Sequence, residues 1–361
     1  MYLDYNSTSK PSREVLEAMI LTEPLNPSSI HSYGRKARAI LEETRTKLSK
    51  IFRIPKGYRT IFTSSATEAN NLFLNSCDKV FASATEHPSI LKNDLAGILP
   101  VTREGLVDFE KLTISPFRVY AIMLANNETG VINPIKEIAE KVRKAGALLQ
   151  VDSVQAPGKI ALDLEALGAD AYSISSHKMG GPFGIGCLIY NQDKISLKAL
   201  IRGGGQEFGL RSGTENIQAL RGFSVALDQL EVRLSSMKKI QELRDWLELE
   251  IKKTAPEIIV FGAGAPRLPN TLSINLPGVK SEVQVAYFDS HGIAVSAGAA
   301  CSAGRVEKPL VQMAMGYSYE EAASSLRISL GPENRLEEIK FFLAKWQELY
   351  QKTKNYGQNF Y

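Results

Sequence analysis

The sequence predicts an α/β protein: a large domain with a mostly parallel central sheet, then a smaller α+β domain. Three observations carry this. Between residues 79 and 190, short runs apolar on both faces alternate with helical patterns, the texture of a parallel sheet covered on both sides. From Gly222 to about Thr254 there is little Gly or Pro, which reads as one long helix leading out of that region. Beyond it come a strand, a helix, a Gly/Ala/Ser-rich loop, a second strand and a terminal helix. With 361 residues and 44% hydrophobic content, the chain can bury a full core and favours two domains over one.

The elements follow in order. Strands are expected over 79–83, 119–124, 147–151, 171–175 and 185–190, with a helix over 135–144 after Pro134. In the second region PNTLSINL reads as a strand over 269–276, and 282–290 as a helix. RISL reads as a further strand, and the tail after Lys352 as frayed. The net charge of +4 is mild and no basic run forms a nucleic-acid stripe, so stable nucleic-acid binding is not expected. MYLDYNSTSK lacks the pattern of a signal peptide, and no apolar run approaches the ~20 residues of a membrane span. A cytoplasmic protein is expected. Cys77, Cys187 and Cys301 are too sparse and odd in number for a disulfide framework. Cys77 and Cys187 read as small apolar residues.

In open α/β sheets ligands collect at the carboxyl ends of strands. Four polar clusters directly follow apolar runs: Glu86-His87, Asn126-Asn127-Glu128, Asp152 with Gln155, and Ser175-Ser176-His177-Lys178. Together they suggest one polar site at the sheet edge. The run Thr63–Glu68 opens a helix, whose free N–H groups favour a phosphate. Ser65 with Glu68 also fits a capping box, and both readings can hold. Lys178, at a strand end and followed by GGPFGIG, is either a solvated loop lysine or a desolvated amine suited to a Schiff base. Asp152 is either a cap for the next turn or a carboxylate that pairs with a protonated pyridine nitrogen. No metal site is expected.

The motifs SSATEANN, NNETG, VDSVQ, HKMGGPFGIG, GGGQEFGLRSGT, SAGAACSAG and SSLRISLG together resemble those of cysteine desulfurases. These form the NifS/IscS-like branch of class V aminotransferases, enzymes of the PLP-dependent transferase fold (fold type I). The likeness runs in order from Tyr2 to about Gly331. It implies pyridoxal 5'-phosphate (PLP) as cofactor, L-cysteine as substrate, a homodimer, and a sulfur-acceptor protein such as an iron–sulfur scaffold, with tRNA thiolation as a further outlet. It implies a large domain over 16–240, and a small one over 1–15 and 241–361 carrying the catalytic cysteine loop.

The resemblance also implies roles. Lys178 is the Schiff-base lysine and proton carrier, and His87 stacks on the ring and helps proton transfer. Asp152 is the pyridinium partner, while Asn127 and Gln155 meet the ring hydroxyl. Ala66, Thr67, Ser175 and His177 hold phosphate, and Thr214 reaches it across a dimer interface. Arg327, with Asn127, binds the substrate carboxylate, which suits a bidentate guanidinium. From the residues alone, His87 is equally a helix cap, Arg327 a surface ion pair, Thr214 a helix start, and Asn127 and Gln155 loop residues meeting backbone groups. His31 and His291 read as structural, with His31 in a segment lining the site entrance.

Cys301 sits among small residues with flanking glycines, a composition of mobile loop rather than core. As a thiolate it is the expected sulfur acceptor, giving L-alanine and a persulfide. Three motifs depart from the family pattern: Ser65 stands for a glycine, SAGAAC for SSGSAC, and Ser7-Thr8-Ser9-Lys10 for an ATTP-like run. A selenocysteine lyase, a class V aminotransferase and a non-catalytic PLP-binding scaffold are the competing readings.

Overall fold

The computed structural model describes residues 1–111, 113–298 and 308–357. Seven strands form the central sheet: β1 (Tyr58–Thr63), β2 (Val80–Ser83), β3 (Gly97–Leu99), β4 (Val119–Ala121), β5 (Leu148–Asp152), β6 (Ala171–Ser175) and β7 (Gly186–Asn191). Their order is β1-β7-β6-β5-β4-β2-β3. The strands from β3 through β6 pair in parallel, whereas β7 runs antiparallel to both β6 and β1. Three strands form the second sheet, β8 (Thr271–Asn275), β9 (Ser296–Ala297) and β10 (Ser325–Ser329), with β10 central and both pairs antiparallel.

The α/β class and the mostly parallel sheet match the expectation, with local differences. β1 lies outside the expected strands, and it closes the edge of the sheet against β7. β4 stops at Ala121, yet Ile122 and Leu124 still donate to Gln150 and Asp152 carbonyls of β5, so the expected strand to 124 remains hydrogen-bonded. The long helix is two, Ile217–Asp228 and Leu230–Thr254, parted at Gln229. The terminal helix Leu336–Gly357 runs past Lys352, where fraying was expected.

Apolar residues on both faces explain why this sheet is buried. Ile122, Val151, Tyr172, Ile174 and Phe223 pack on one side, and Ile61, Phe73, Ala121 and Leu188 on the other. A separate core under the second sheet gathers Leu3, Ile240, Leu272, Ile328 and Trp346. Each buried Leu, Ile, Val or Phe among them contributes about 1.5–3 kcal/mol. The N-terminal segment is stitched to this sheet: Tyr5 N–H donates to Ser329 O at 3.1 Å, and Ser329 N–H to Leu3 O at 2.8 Å. That stitching brings Asn6 and Ser7 to the carboxyl ends of β5 and β6. Among the described residues no helix is long and apolar enough to cross a membrane.

Candidate active site

A cavity of about 340 Å³ opens at those strand ends. Its first wall is a helix start. Ser65 caps helix Ala66–Leu74, with Glu68 N–H donating to Ser65 Oγ at 3.2 Å. Its φ of −169° is extended backbone open to any residue, so serine in place of glycine imposes no strain here. The capping box is only half formed. The Glu68 carboxylate accepts from Ser64 N–H at 2.8 Å, not from Ser65, and is held there by Arg211 Nε at 2.8 Å. The first-turn N–H groups of Ala66 and Thr67 have no carbonyl four residues back and can meet an anion. Gly186 permits this placement: a Cβ there would fall 2.7 Å from the Ser65 carbonyl carbon and 2.9 Å from Ala66 N. Ser175 ends β6 beside this wall, and His177 follows in a short 3₁₀ turn. His177 Nδ1 meets Thr8 Oγ1 at 2.8 Å. Burial, with Lys178 and Lys159 nearby, pushes its pKa down to about 4, so the ring is neutral.

The floor is Asp152, the last residue of β5 and 6% exposed. Its Oδ2 accepts from Asn70 Nδ2 at 3.0 Å and its Oδ1 from Val154 N–H at 3.0 Å. His87 is indeed an N-cap, of the turn Pro88–Leu91, and it also lines the cavity. Its Nδ1 accepts from Ser89 N–H at 3.1 Å and lies 2.8 Å from Ser89 Oγ. Burial lowers its pKa.

The opposite wall carries cations. Lys178 Nζ donates to the carbonyls of Asn6 at 2.7 Å and Ser7 at 2.8 Å. Burial first, then Arg327, brings the Lys178 amine down to about 8. Arg327, 5% exposed, pairs through Nη2 with Asp4 Oδ1 at 2.6 Å and through Nη1 with Asn127 O at 3.0 Å. Its buried Nε has no hydrogen-bond partner among the described residues. Gln155 Nε2 donates to Asn6 O at 3.0 Å, and Gln155 Oε1 accepts from the buried Lys159.

Ala66, Thr67, His87, Asn127, Asp152, Gln155, Ser175, His177, Lys178 and Arg327 therefore all line one cavity. Thr214 does not; it is exposed and lies apart from it. Cys301 lies outside the described residues. His31 caps helix Ser32–Ile51, and none of residues 26–34 lines this chain's cavity. Cys187 is buried in β7 with its thiol pushed up to about 12, and burial raises the half-buried Cys77 to about 11. Neither suits nucleophilic work at neutral pH. Sequence reasoning missed Asn6 and Ser89 as cavity residues, and missed Lys159 behind them. Only the placement of Asn6 within YLDYNS and of Lys159 just after VDSVQ signalled them.

These residues fit pyridoxal phosphate. A helix start offers free N–H groups for the phosphate, a buried carboxylate stands at the floor for a ring N–H, and a depressed amine stands at the wall. Arg327 Nε, without a partner among the described residues, is a further donor suited to an anion such as a substrate carboxylate. The cavity volume lies within the range of cofactor sites.

The family model for class-V aminotransferases matches residues 1–342. A cysteine desulfurase of Enterobacter agglomerans is 36% identical, the match covering 97% of this chain and 92% of that one. Cysteine desulfurase IscS 1 of Archaeoglobus fulgidus is 37% identical, covering 94% of each. The X-ray structure of a NifS-like protein from Rickettsia africae superposes with a TM-score of 0.90 at 35% identity, over 97% of this chain and 99% of that one. Matched in sequence and fold over nearly its whole length, the chain belongs to the PLP-dependent class-V aminotransferase family, in its NifS/IscS-like cysteine desulfurase branch.

Proposed function

We propose that the chain is a cysteine desulfurase, moving one sulfur from L-cysteine to Cys301 and releasing L-alanine. The observation that carries this reading is the convergence of Lys178, Asp152, His87 and Arg327 on one cavity, in a chain of this family. Pyridoxal phosphate, when bound, supplies an electron sink for bonds at the substrate's α and β carbons. Ala66, Thr67, Ser175 and His177 would hold its phosphate, Asp152 would pair with its ring nitrogen, and Gln155 and Asn127 would meet its hydroxyl. Arg327 orients the substrate by its carboxylate. Lys178, its amine near neutral pKa, removes and returns the proton at the α carbon.

Cys301 Sγ, as thiolate, forms a bond to the substrate sulfur while the Cβ–S bond breaks. The electrons of that bond stay with carbon, which is protonated to alanine, and the sulfur remains on Cys301 as a persulfide. Cys301 follows the cavity residue Ser296 by five residues, a tether of at most about 18 Å. A homodimer, with exposed Thr214 reaching the partner's phosphate, belongs to the same proposal. So do the domain division at 16–240, a cytoplasmic location and transfer to an iron–sulfur scaffold. Exposed Leu16, Ile20 and Leu21, on and just after one helix, support the dimer. The test is to add L-cysteine to purified holoenzyme. Alanine should appear, with a mass increase of one sulfur on the Cys301 peptide; neither appearing would refute the reading.

A further inference from the structure

Beneath the cavity floor a chain of polar side chains reaches His87, and the chemistry of each group fixes the direction of donation. A backbone N–H can only donate, so Ser89 N–H at 3.1 Å obliges His87 Nδ1 to accept. An accepting Nδ1 carries no proton. The Ser89 hydroxyl, 2.8 Å from the same nitrogen, therefore donates to it as well. That hydroxyl accepts in turn from Asn70 Nδ2 at 2.9 Å. The other hydrogen of Asn70 Nδ2 goes to Asp152 Oδ2 at 3.0 Å, and Asn70 Oδ1 accepts from Gln150 Nε2 at 2.8 Å. Reversing the Asn70 amide would set its oxygen against the Asp152 carboxylate and its NH₂ against that of Gln150. Asn70 and Gln150 are buried, so water does not compete for these bonds.

We propose that Gln150, Asn70 and Ser89 are positioning residues that hold His87 as its neutral Nε2–H tautomer. The imidazole then enters the cavity as a hydrogen-bond donor and leaves Lys178 as the base. With Nδ1 taken by Ser89, the Nε2 proton is left for the cavity that His87 lines. The same Asn70 amide holds Asp152, so the floor and the ring-facing histidine are set by one side chain. Burial of His87 acts in the same sense, disfavouring the imidazolium. The meaning for catalysis rests on the desulfurase reading; the tautomer itself does not.

The test is nitrogen NMR of the full-length holoenzyme labelled with ¹⁵N-histidine. The chain has 4 histidines, so the signals lost in His87→Asn identify His87. At about pH 7, Nδ1 should resonate as an unprotonated nitrogen and Nε2 as a protonated one. Asn70→Asp removes both Asn70 N–H donors and draws the Ser89 hydroxyl toward the new carboxylate; the His87 titration midpoint should rise by about one unit or more. Ser89→Ala, which keeps the backbone N–H, should raise it less and preserve the tautomer. A proton on Nδ1 in the wild type, or an unmoved midpoint in Ser89→Ala, overturns the inference. Loss of cysteine-dependent alanine formation alone would sink the functional reading and leave the tautomer assignment standing.

Discussion

The two sides of the cavity solve opposite electrostatic problems. On the sheet-edge side a single carboxylate, Asp152, is met by neutral donors from Asn70 and the Val154 backbone, with a neutral imidazole beside it. On the N-terminal side stand three cations, of which Arg327 pairs with the carboxylate of Asp4 while Lys159 and Lys178 rest on amide oxygens of Asn6, Ser7 and Gln155. The cavity thus has a negative floor and a positive wall. A ligand with a cationic ring nitrogen at one end and a carboxylate at the other fits in only one sense. Crowding of cations also explains the amine chemistry. Lys159, wholly buried, is held well below its ordinary pKa by desolvation and by Lys178 and Arg327, and Lys178 is brought to about 8.

Removing the wall's reactive group should have the largest effect. Lys178→Ala should lower desulfurase turnover by about 10³-fold or more, and borohydride should no longer fix pyridoxal phosphate to the chain. Trapping at the wild-type level would remove Lys178 from its role. Cys301→Ala tests the step after the wall: persulfide formation should vanish while the cofactor's absorbance stays, and undiminished turnover would exclude Cys301 as sulfur acceptor.

A milder break replaces the fork by a point charge. Arg327→Lys keeps the positive pole but loses the two-point grip on a carboxylate, so kcat/KM should fall by about 10²-fold, mainly through KM. A fall confined to kcat would argue against a substrate-holding role. The wall's effect on Lys178 has its own readout. Attachment of pyridoxal phosphate to cofactor-free enzyme needs the neutral amine. Its rate should rise with pH through a midpoint near 8, rather than near the ordinary 10.5 of lysine. Stopped-flow absorbance across pH gives the midpoint, and a value near that of free lysine would show that burial and Arg327 do not act on the amine.

The same two sides differ in how far the sequence discloses them. Asp152, Ser175 and His177 each stand within two residues of the end of an apolar strand, so local pattern alone puts them at one sheet edge. Of the positive wall only Lys178 shares that signature, following the end of β6 by three residues. Arg327 meets Asp4 across 323 residues, Asn6 N–H meets Ser329 Oγ across 323, and Lys178 meets Asn6 across 172. Only tertiary closure of the N-terminal segment onto β10 assembles that wall, and no spacing rule reports it. β1 was missed for a related reason: it earns its place by antiparallel pairing with β7, more than 120 residues away. The break at Gln229 leaves no mark in the sequence, because it carries neither Gly nor Pro.

The smallest effect lies at the phosphate end, where the two sides meet. His177 has its pKa lowered to about 4 from an ordinary 6.5, because burial and the neighbouring Lys178 and Lys159 oppose a further positive charge. The unfolded chain therefore takes up a proton here below about pH 6.5, and the folded chain only near pH 4. Between those values the unfolded state binds more protons, so this residue's contribution to stability is lost as pH falls through the window and regained as pH rises. His177→Gln keeps a polar partner for Thr8 Oγ1 and removes the titration. Across the same window the fall in Tm should then be smaller than in the wild type by a few degrees, about 2–4 °C for a chain of this size. Parallel melting curves of both proteins check it: equal slopes would show that His177 titrates alike folded and unfolded, and that the cations of the wall do not reach it.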